Sequence, residues 1–262
     1  MNADIEKMTK AAKAGGEILR KYFGQALDIS EKSAVRDYQT KADLESESVI
    51  LEILKTEFPG FNIHSEEIGI KANGSEFTLL VDPLDGTNNF VTGIPNFSIT
   101  IALLKGDEVV AGLIHQPVVQ QTYYAVKGKG SFVDGVRLQV SKEKNPKRAT
   151  IGYAGGYNTN VNHIASLFGR LLISNHKRPM FNWALANDLC LLALGRVEGF
   201  INEENEIYDF AAAKLICREA GAVITNWDGT PDDNDLNPNF IMANNQEILN
   251  ALLPLVTDKN FV

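Results

Sequence analysis

The residues best suited to chemistry lie in one short segment, residues 82–90, which reads DPLDGTNNF and follows the apolar run FTLLV. Its carboxylates, Asp82 and Asp85, are three residues apart at the end of a predicted buried strand. Mg²⁺ prefers oxygen ligands in octahedral geometry and usually binds beside substrate phosphates. The backbone N–H groups after Asp85 can face an anion, more so if a helix begins there. The segment therefore predicts a divalent-cation site that also presents backbone to a phosphate.

This segment has two other interpretations. Asp-Gly-Thr after a strand is often only a turn. Another class of phosphatase has Asp-x-Asp-Gly-Thr after a strand and uses the first Asp as nucleophile, but here that position is Pro83. The spacing of Asp82 and Asp85 instead favours metal ligation by both carboxylates.

Further polar residues complete the pattern. Glu66 lies just before the strand, Thr40 and Asp43 lie within the stretch DYQTKAD, and Asp209 opens the helical pattern AAAKLICREAG. Together with DPLDGTNNF, these residues resemble the inositol monophosphatase family of Mg²⁺-dependent, lithium-sensitive phosphatases, over about residues 5–255. The family pattern is an acidic pair, then Asp-Pro-hydrophobic-Asp-Gly-Thr, then Trp-Asp-x-Ala-Ala-Gly.

This chain departs from the last motif at two positions, where Tyr208 replaces Trp and Ala213 replaces Gly. Neither change removes the carboxylate of Asp209. The sequence also has Lys32 where family members carry a loop lysine near the metals, although an exposed lysine in a polar loop is the simpler interpretation.

The resemblance implies a set of metal ligands. Glu66, Asp82 and the carbonyl of Leu84 would bind one Mg²⁺, while Asp82, Asp85 and Asp209 would bind a second, so that Asp82 bridges them. A third, weaker ion would use Glu66 and waters. Two metals about 3.5–4 Å apart can activate a water on one side of a phosphate and stabilise the leaving oxygen on the other.

The resemblance also implies the groups that act on water and phosphate. Thr87 and Asp43 would orient and deprotonate the attacking water, and Glu66 would contribute to catalysis as a metal ligand. The N–H groups of Gly86 and Thr87 would hold the phosphate. This scheme requires no covalent enzyme intermediate.

The substrate-facing segment differs more from the family. Family members usually have Gly-Ser/Thr-x-Ala-x-Asp-x-Cys, whereas this chain has WALANDLC, so that Trp183 replaces Gly and Ala184 follows it. Counting back from Asp209, Asn202 and Glu206 stand where inositol-cleaving relatives carry a Glu and a His. These four residues, Trp183, Ala184, Asn202 and Glu206, are the expected substrate contacts beside the phosphate-binding groups.

The metal chemistry thus carries over from the resemblance, but the inositol specificity does not. Histidinol phosphate, a sugar bisphosphate and a nucleotide 3′-phosphate stay open as substrates. If the count back from Asp209 is off by one or two residues, Glu203 or Glu204 would supply the missing carboxylate.

Composition sets the broad class. The chain has 262 residues, is 44% hydrophobic and carries a net charge of −8, which permits a large core and disfavours binding to nucleic acid or a membrane surface. Cys190 and Cys217 both lie in apolar helical patterns, which indicates free buried thiols. The start MNADIEKMTK has no apolar leader pattern. We expect a cytoplasmic protein and, from the resemblance, a homodimer that acts on a small phosphorylated metabolite.

Periodicity predicts the elements. Helices are expected at 4–23 and 44–57, followed by a mostly antiparallel sheet over 77–140. The charged stretch KEKNPKR suggests a division into an N-terminal α+β half, 1–145, with most metal-binding motifs, and a C-terminal α/β half, 146–262, with Asp209. The resemblance implies an α/β fold of five layers, α-β-α-β-α, of the inositol monophosphatase/fructose-1,6-bisphosphatase type. The acidic stretch NWDGTPDDND (226–235) is interpreted as a solvated turn.

Two classes of function are compatible with these features. The first is a Mg²⁺-dependent phosphomonoesterase. The second is a regulatory protein of the same fold that works by binding a macromolecular partner. The complete set of Glu66, Asp82, Asp85, Thr87 and Asp209 favours chemistry, because clustering buried polar groups has a high desolvation cost.

Overall fold

A computed structural model describes residues 3–26, 29–31, 38–174 and 176–257. The helices are α1 (Ala3–Tyr22), α2 (Lys41–Glu57), α3 (Thr87–Thr92), α4 (Val161–Ile173), α5 (Leu185–Ala193), α6 (Ile207–Glu219) and α7 (Gln246–Thr257). Lys32 lies outside the described residues.

The strands are β1 (Ile29–Glu31), β2 (Tyr38–Thr40), β3 (Asn62–Ser65), β4 (Gly69–Lys71), β5 (Phe77–Asp85), β6 (Ser98–Lys105), β7 (Glu108–Gln116), β8 (Gln121–Val126), β9 (Ser131–Val133), β10 (Val136–Arg137), β11 (Thr150–Gly155), β12 (Arg178–Met180), β13 (Gly199–Glu203), β14 (Val223–Asn226) and β15 (Phe240–Ala243). One sheet has the order β10-β9-β8-β7-β6-β5-β3-β4, a second has the order β12-β11-β13-β15-β14, and β1 pairs with β2 apart from both.

The two large sheets differ in strand direction. In the first sheet, β3 and β5 run parallel and all other neighbours are antiparallel. In the second sheet, β11 runs parallel to β12 and β13, whereas β15 is antiparallel to β13 and β14. The second half therefore mixes parallel crossovers with one antiparallel hairpin, as its alternating helices and strands suggest.

Three apolar clusters stack these elements into layers. One cluster joins α1 and α2 to the first sheet, a second fills the space around α5 and α6 between the sheets, and a third joins the second sheet to α4 and α7. The result is the expected α-β-α-β-α order, so the five-layer prediction is confirmed. The division at 145/146 stays a prediction, although the short 3₁₀ turn Pro146–Arg148 does lie between the two sheets.

A close backbone approach fixes the middle layer against the first sheet. A Cβ on Gly112 in β7 would lie only 2.8 Å from the carbonyl oxygen of Ala212 in α6. The absence of a side chain at Gly112 lets α6, which carries Asp209 at its start, pack directly on β7.

The interpretation of 226–235 as a solvated turn is wrong. The side chain of Asp232 is completely buried and pairs with Lys214 at 2.9 Å and Arg218 at 2.9 Å. Arg218 also pairs with Asp235 at 2.6 Å. Spacing alone could not show this, because the two cations lie on α6, well before the loop in sequence.

No helix among residues 3–26, 41–57 or the later described segments is long and apolar enough to cross a membrane. Cys190 and Cys217 are free and buried, as predicted.

Candidate metal and phosphate site

The site begins at the irregular end of β5. The register of β5 against β6 shifts between Asp82 and Asp85, so the two carboxylates leave the regular pleat. Asp82 Oδ1 accepts a hydrogen bond from the Leu84 N–H at 2.8 Å, and the Ser46 hydroxyl donates to the Pro83 carbonyl at 3.1 Å. Helix α2 thus holds the turn that presents both acids.

Gly86 joins this turn to α3 and has a φ of 91°, in the left-handed region that favours glycine. A Cβ here would also meet the Asn96 carbonyl oxygen at 3.0 Å and the Ala184 Cβ at 3.1 Å. The chain can therefore turn tightly at Gly86 only without a side chain. Thr87 follows as the first residue of α3, and its hydroxyl donates to the Leu84 carbonyl at 3.0 Å.

Asp43 and Thr87, to which the family resemblance assigns a joint action on water, are adjacent in space. The Thr87 hydroxyl lies 3.3 Å from Asp43 Oδ1. The other oxygen, Asp43 Oδ2, accepts from the Thr40 N–H at 2.8 Å and from the Thr40 hydroxyl. Helix α2 begins at Lys41, two residues before the acid, so Thr40 is the N-cap and Asp43 closes a capping box from the third helical position. Asp43 is therefore inside the helix, not before it.

Four carboxylates converge beside this turn. Burial raises the pKa of Asp82 well above its usual value, and the charges of Glu66, Asp209 and Asp85 raise it further. Glu66 and Asp82 also lie within hydrogen-bonding reach of each other. Asp209, in the first turn of α6, has its pKa raised by burial and then by Glu66, Asp85 and Glu206.

Asp85 has a different balance of neighbours. Burial raises its pKa to about 7, and the charge of Asp188 also raises it. The Ser98 hydroxyl, which donates to Asp85 Oδ2 at 3.0 Å, and the backbone N–H groups of Ala186 and Asn187 oppose the rise. Asp85 is thus held by donors from β6 and α5.

The donor set fits a hard divalent cation. All four groups are carboxylates, they are buried or half-buried, and each principal influence on Asp82 disfavours its charged form; a cation would reverse this. Within the described ranges, no group of three or more His, Cys, Asp or Glu side chains is already arranged to hold a metal ion. Asp82 and Asp85 instead bond to neighbouring protein donors.

The segment that carries Glu66 is fixed by a carboxylate that the sequence analysis missed. Glu47, buried in α2, accepts hydrogen bonds from the Ser65 hydroxyl and from the N–H groups of Glu67 and Ile68, the latter two at 3.2 Å. The Glu66 N–H donates to the Val81 carbonyl at 3.1 Å. This bond extends the pairing of β3 with β5 by one residue. The signal for Glu47 was a charged residue within the apolar stripe of α2.

The expected substrate contacts do not all reach the surface. Trp183 is 57% exposed and has a φ of 55°, whereas Ala184 is buried against Gly86. Glu206 is exposed at the N-terminus of α6, close enough to Asp209 to raise its pKa. Asn202 is fully buried, and its amide bonds to the Pro238 carbonyl at 2.6 Å. The prediction that Asn202 contacts substrate is therefore wrong, because its side chain points into the second half.

The two glutamates considered as replacements differ from each other. Glu203 is buried and bonds to the Tyr153 hydroxyl at 2.8 Å and to His163 Nδ1 at 2.6 Å, so it has a structural place within the second half. Glu204 is exposed, with a φ of 52°. Of the two, only Glu204 presents a carboxylate to solvent.

Comparisons with known proteins agree with this geometry. Residues 2–260 match the Inositol monophosphatase family. The chain belongs to that family. It is 33% identical over 227 residues to an Aquifex aeolicus protein named fructose-1,6-bisphosphatase/inositol-1-monophosphatase, covering 84% of each chain. It is 29% identical over 267 residues to Nus factor SuhB of Pasteurella multocida, covering 99% of each.

The fold also matches solved members of the family. The structure of extragenic suppressor protein suhB from Bartonella henselae superposes with a TM-score of 0.90 at 30% identity, covering 98% of this chain and 100% of the other. The inositol monophosphatase fold is thus present over nearly the whole length. The family resemblance drawn from DPLDGTNNF is confirmed.

Proposed function

We propose that this family member is a Mg²⁺-dependent phosphomonoesterase that hydrolyses a small phosphorylated metabolite. The observation that carries the proposal is the convergence of Glu66, Asp82, Asp85 and Asp209 beside the turn at Gly86, where the neighbouring acids raise the pKa values of Asp82 and Asp209. Membership of a family of phosphatases supports the same chemistry. The cluster would hold two Mg²⁺ ions, with a third at Glu66 as a further option.

Each group in the site has a role in this proposal. Asp82 would bridge the two ions, with Glu66 and the Leu84 carbonyl on one side and Asp85 and Asp209 on the other. When bound, the ions supply charge neutralisation for the phosphate and its leaving oxygen. Gly86 and Thr87 would present backbone N–H groups to the phosphate.

Asp43 and Thr87 would handle the proton of the attacking water. The Thr87 hydroxyl donates to Leu84 or to Asp43 in the structure, so its lone pairs are available to accept from a water. Asp43 is fully buried and fixed by Thr40, which holds its Oδ1 towards Thr87. The pair can orient one water and accept its proton.

The substrate is proposed to be a phosphomonoester other than myo-inositol 1-phosphate. An inositol-cleaving relative has a carboxylate where this chain buries Asn202, and Trp183 replaces a glycine. A site built to bond a hydroxyl can discriminate by roughly 10⁴-fold, so the loss of a carboxylate should weaken polyol binding. Glu206 adds negative charge at the rim, which suits a substrate that carries an amine.

A substrate panel tests both parts of this proposal. Phosphate release should be measured with and without Mg²⁺ for inositol 1-phosphate, histidinol phosphate, fructose 1,6-bisphosphate and adenosine 3′,5′-bisphosphate. We expect Mg²⁺-dependent release, with inositol 1-phosphate not the best substrate by kcat/KM. A clear preference for inositol 1-phosphate would overturn the argument from the rim, and no release from any ester would overturn the phosphatase proposal.

Lithium sensitivity is a further part of the proposal. Li⁺ is similar in size to Mg²⁺ but has half its charge, so it could occupy the site at Asp85 and Asp209 and retain product phosphate. Rates in LiCl should fall below those in matched KCl. Equal rates in the two salts would count against a second metal site of the family type.

The proposed assembly is a homodimer. A cavity of about 510 Å³ beside α5 has both polar and apolar lining residues, and five of the apolar ones are exposed, namely Ile94, Val118, Val119, Phe181 and Trp183. Exposed apolar patches of this kind typically mark interaction surfaces. Sedimentation velocity should give a species of twice the chain mass, and a monomer at all concentrations would contradict it.

A regulatory protein that binds a macromolecular partner is the second candidate, because one relative is named a Nus factor. The same substrate panel separates the two candidates, since a purely regulatory member would release no phosphate. A cytoplasmic location stays a prediction.

A further inference from the structure

Asp188 is a buried carboxylate that the proposed chemistry does not use. It lies in the first turn of α5 and is 1% exposed. Asn182 Nδ2 donates to Asp188 Oδ1 at 3.0 Å, and the Asn182 N–H and the Asn96 side-chain amide also bond to this carboxylate. An ionised carboxylate only accepts hydrogen bonds, so it can satisfy several converging donors at once.

The donors to Asp188 come from two loops that meet beside the turn at Gly86. Asn96 lies between α3 and β6, and Asn182 lies before α5. Asn89, from α3, donates to the Asn96 carbonyl at 2.9 Å and to the Asn182 carbonyl at 2.7 Å. The Asn187 side chain adds a bond to Asn96 Oδ1 at 3.1 Å. Asp188 is thus the anionic centre of a network that joins α3, both loops and α5.

The start of α5 in turn contacts the acidic site directly. The backbone N–H groups of Ala186 and Asn187 bond to the carboxylate of Asp85. Ala184, the residue before α5, lies so close to Gly86 that a Cβ on Gly86 would be 3.1 Å from the Ala184 Cβ. A small movement of the α5 start would therefore move donors relative to Asp85.

We propose that Asp188 is a positioning residue for Asp85, acting through the backbone of α5. Its carboxylate binds the two loops to the first turn of α5, and that turn orients one oxygen of Asp85 so that the other is free to face a cation. The inference rests on the proposed function, because it assigns Asp85 to the metal site. Groups that orient ligating side chains typically contribute roughly 10–100-fold to metal affinity.

The test compares Asp188→Asn with a matched buried acid. Asp188→Asn keeps the shape of the side chain but presents an amide NH₂ to donors that need an acceptor. Glu198→Gln is the control, because Glu198 is also buried and accepts from the Thr150 N–H at 2.8 Å in the second sheet. Both variants should lose stability. The decisive readout is the Mg²⁺ concentration at the midpoint of the Mg²⁺-induced rise in Tm.

We expect Asp188→Asn to shift that midpoint upward by about tenfold or more, with kcat recovering at saturating Mg²⁺, and Glu198→Gln to leave it unchanged. Amide exchange of the peptide 183–190 should also accelerate in Asp188→Asn. If Asp188→Asn does not fold, Asn182→Ala, which removes one donor from the half-buried loop, should give a smaller shift in the same direction.

An unchanged midpoint in folded Asp188→Asn, or an equal shift in Glu198→Gln, would overturn the inference. If wild-type Tm does not respond to Mg²⁺, both the inference and the metal site fail. If the Tm of wild type responds to Mg²⁺ but wild type releases no phosphate, the catalytic proposal fails. The positioning role is then decided by the Mg²⁺ midpoints of the variants alone.

Discussion

At the residue scale, the carboxylates at the end of β5 lie in an environment that disfavours their charged forms. Burial and three neighbouring acids all raise the pKa of Asp82, and Asp209 has a similar environment. Groups with strongly perturbed pKa values in one cluster are typical of functional sites. The same repulsion should make the metal-free protein less stable than its core would allow.

The first prediction concerns Asp209→Asn. Replacing this carboxylate should lower kcat by orders of magnitude, because it removes a charged oxygen ligand from the site that stabilises the leaving oxygen. It should also raise the Tm of the metal-free protein, since it removes repulsion from Glu66 and Asp85. Asp107→Asn, in the exposed turn between β6 and β7, is the control and should change neither quantity. Near-normal turnover of Asp209→Asn at saturating Mg²⁺ would show that the ligand assignment is wrong.

The second prediction concerns backbone strain at Trp183. Its φ of 55° is unfavourable for any residue except glycine, by about 1–2 kcal/mol. Trp183→Gly should therefore be more stable than Trp183→Ala by about 1 kcal/mol, measured by urea unfolding. At Phe181, which is not among the residues with positive φ, the order should reverse. The same order at both positions would mean that strain is not stored at Trp183.

At the element scale, the sequence predicted most of the structure that positions the site. Periodicity placed α1 and α2 within a few residues of their observed bounds and predicted a mostly antiparallel sheet over 77–140, where β5 to β10 lie. These elements have local signals, either an apolar helical stripe or alternating runs bounded by turns.

Elements whose stability depends on distant partners were missed. The strands β3, β12 and β15 are short and carry no clear period, since pairing with neighbours defines them. The burial of Asp232 depends on Lys214 from another element, and Asn202 points inward because Pro238 accepts its amide. Asp82 and Asp85 could be predicted as a pair because they lie in one short pattern, and Glu66 and Asp209 were added through the family resemblance. Glu47 and Asp188 act through contacts that spacing does not encode.

The third prediction tests the ion pair beneath α6. Lys214 is 1% exposed, and its ammonium donates to Asp232 and to the carbonyls of Asn234 and Asn237. Lys214→Met should lower the free energy of unfolding by about 3 kcal/mol, because it leaves a buried carboxylate with only Arg218 as a charged partner. Lys127→Met, which breaks an exposed pair with Glu108, should cost less than about 1 kcal/mol. Equal losses in denaturant unfolding would contradict this.

The fourth prediction concerns pH and the contact of α1 with β7. Burial is the main cause that lowers the pKa of His115 to about 4, and the ring lies against Gly16 of α1. Since the unfolded chain takes up a proton below about pH 6.5 and the folded chain does not, stability should fall as pH drops from about 6.5 towards 4, by up to about 3 kcal/mol.

His115→Asn, which can still reach the Thr122 hydroxyl that bonds to His115, removes this titration. The difference in unfolding free energy between wild type and this variant should therefore shrink as the pH is lowered. A difference that is constant across this pH range would show that His115 is not held neutral.

At the scale of the whole molecule, most of the apolar core lies away from the acids. The three clusters that hold the five layers together involve helices and sheet faces on both sides of the site, and the site occupies the junction of β5, α2, α3, α5 and α6. Removing the metal should therefore stop the reaction without unfolding the protein. The fold is that of the inositol monophosphatase family, and the proposed departure from inositol specificity rests on Trp183 and Glu206.

The central claim is that the carboxylate cluster works through Mg²⁺. The most direct measurement titrates EDTA into the active protein and follows phosphate release and far-UV circular dichroism in the same samples, with excess Mg²⁺ added back at the end. The account predicts that phosphate release falls to background while the circular dichroism spectrum is unchanged, and that Mg²⁺ restores the rate. Full phosphate release in metal-free buffer would contradict it.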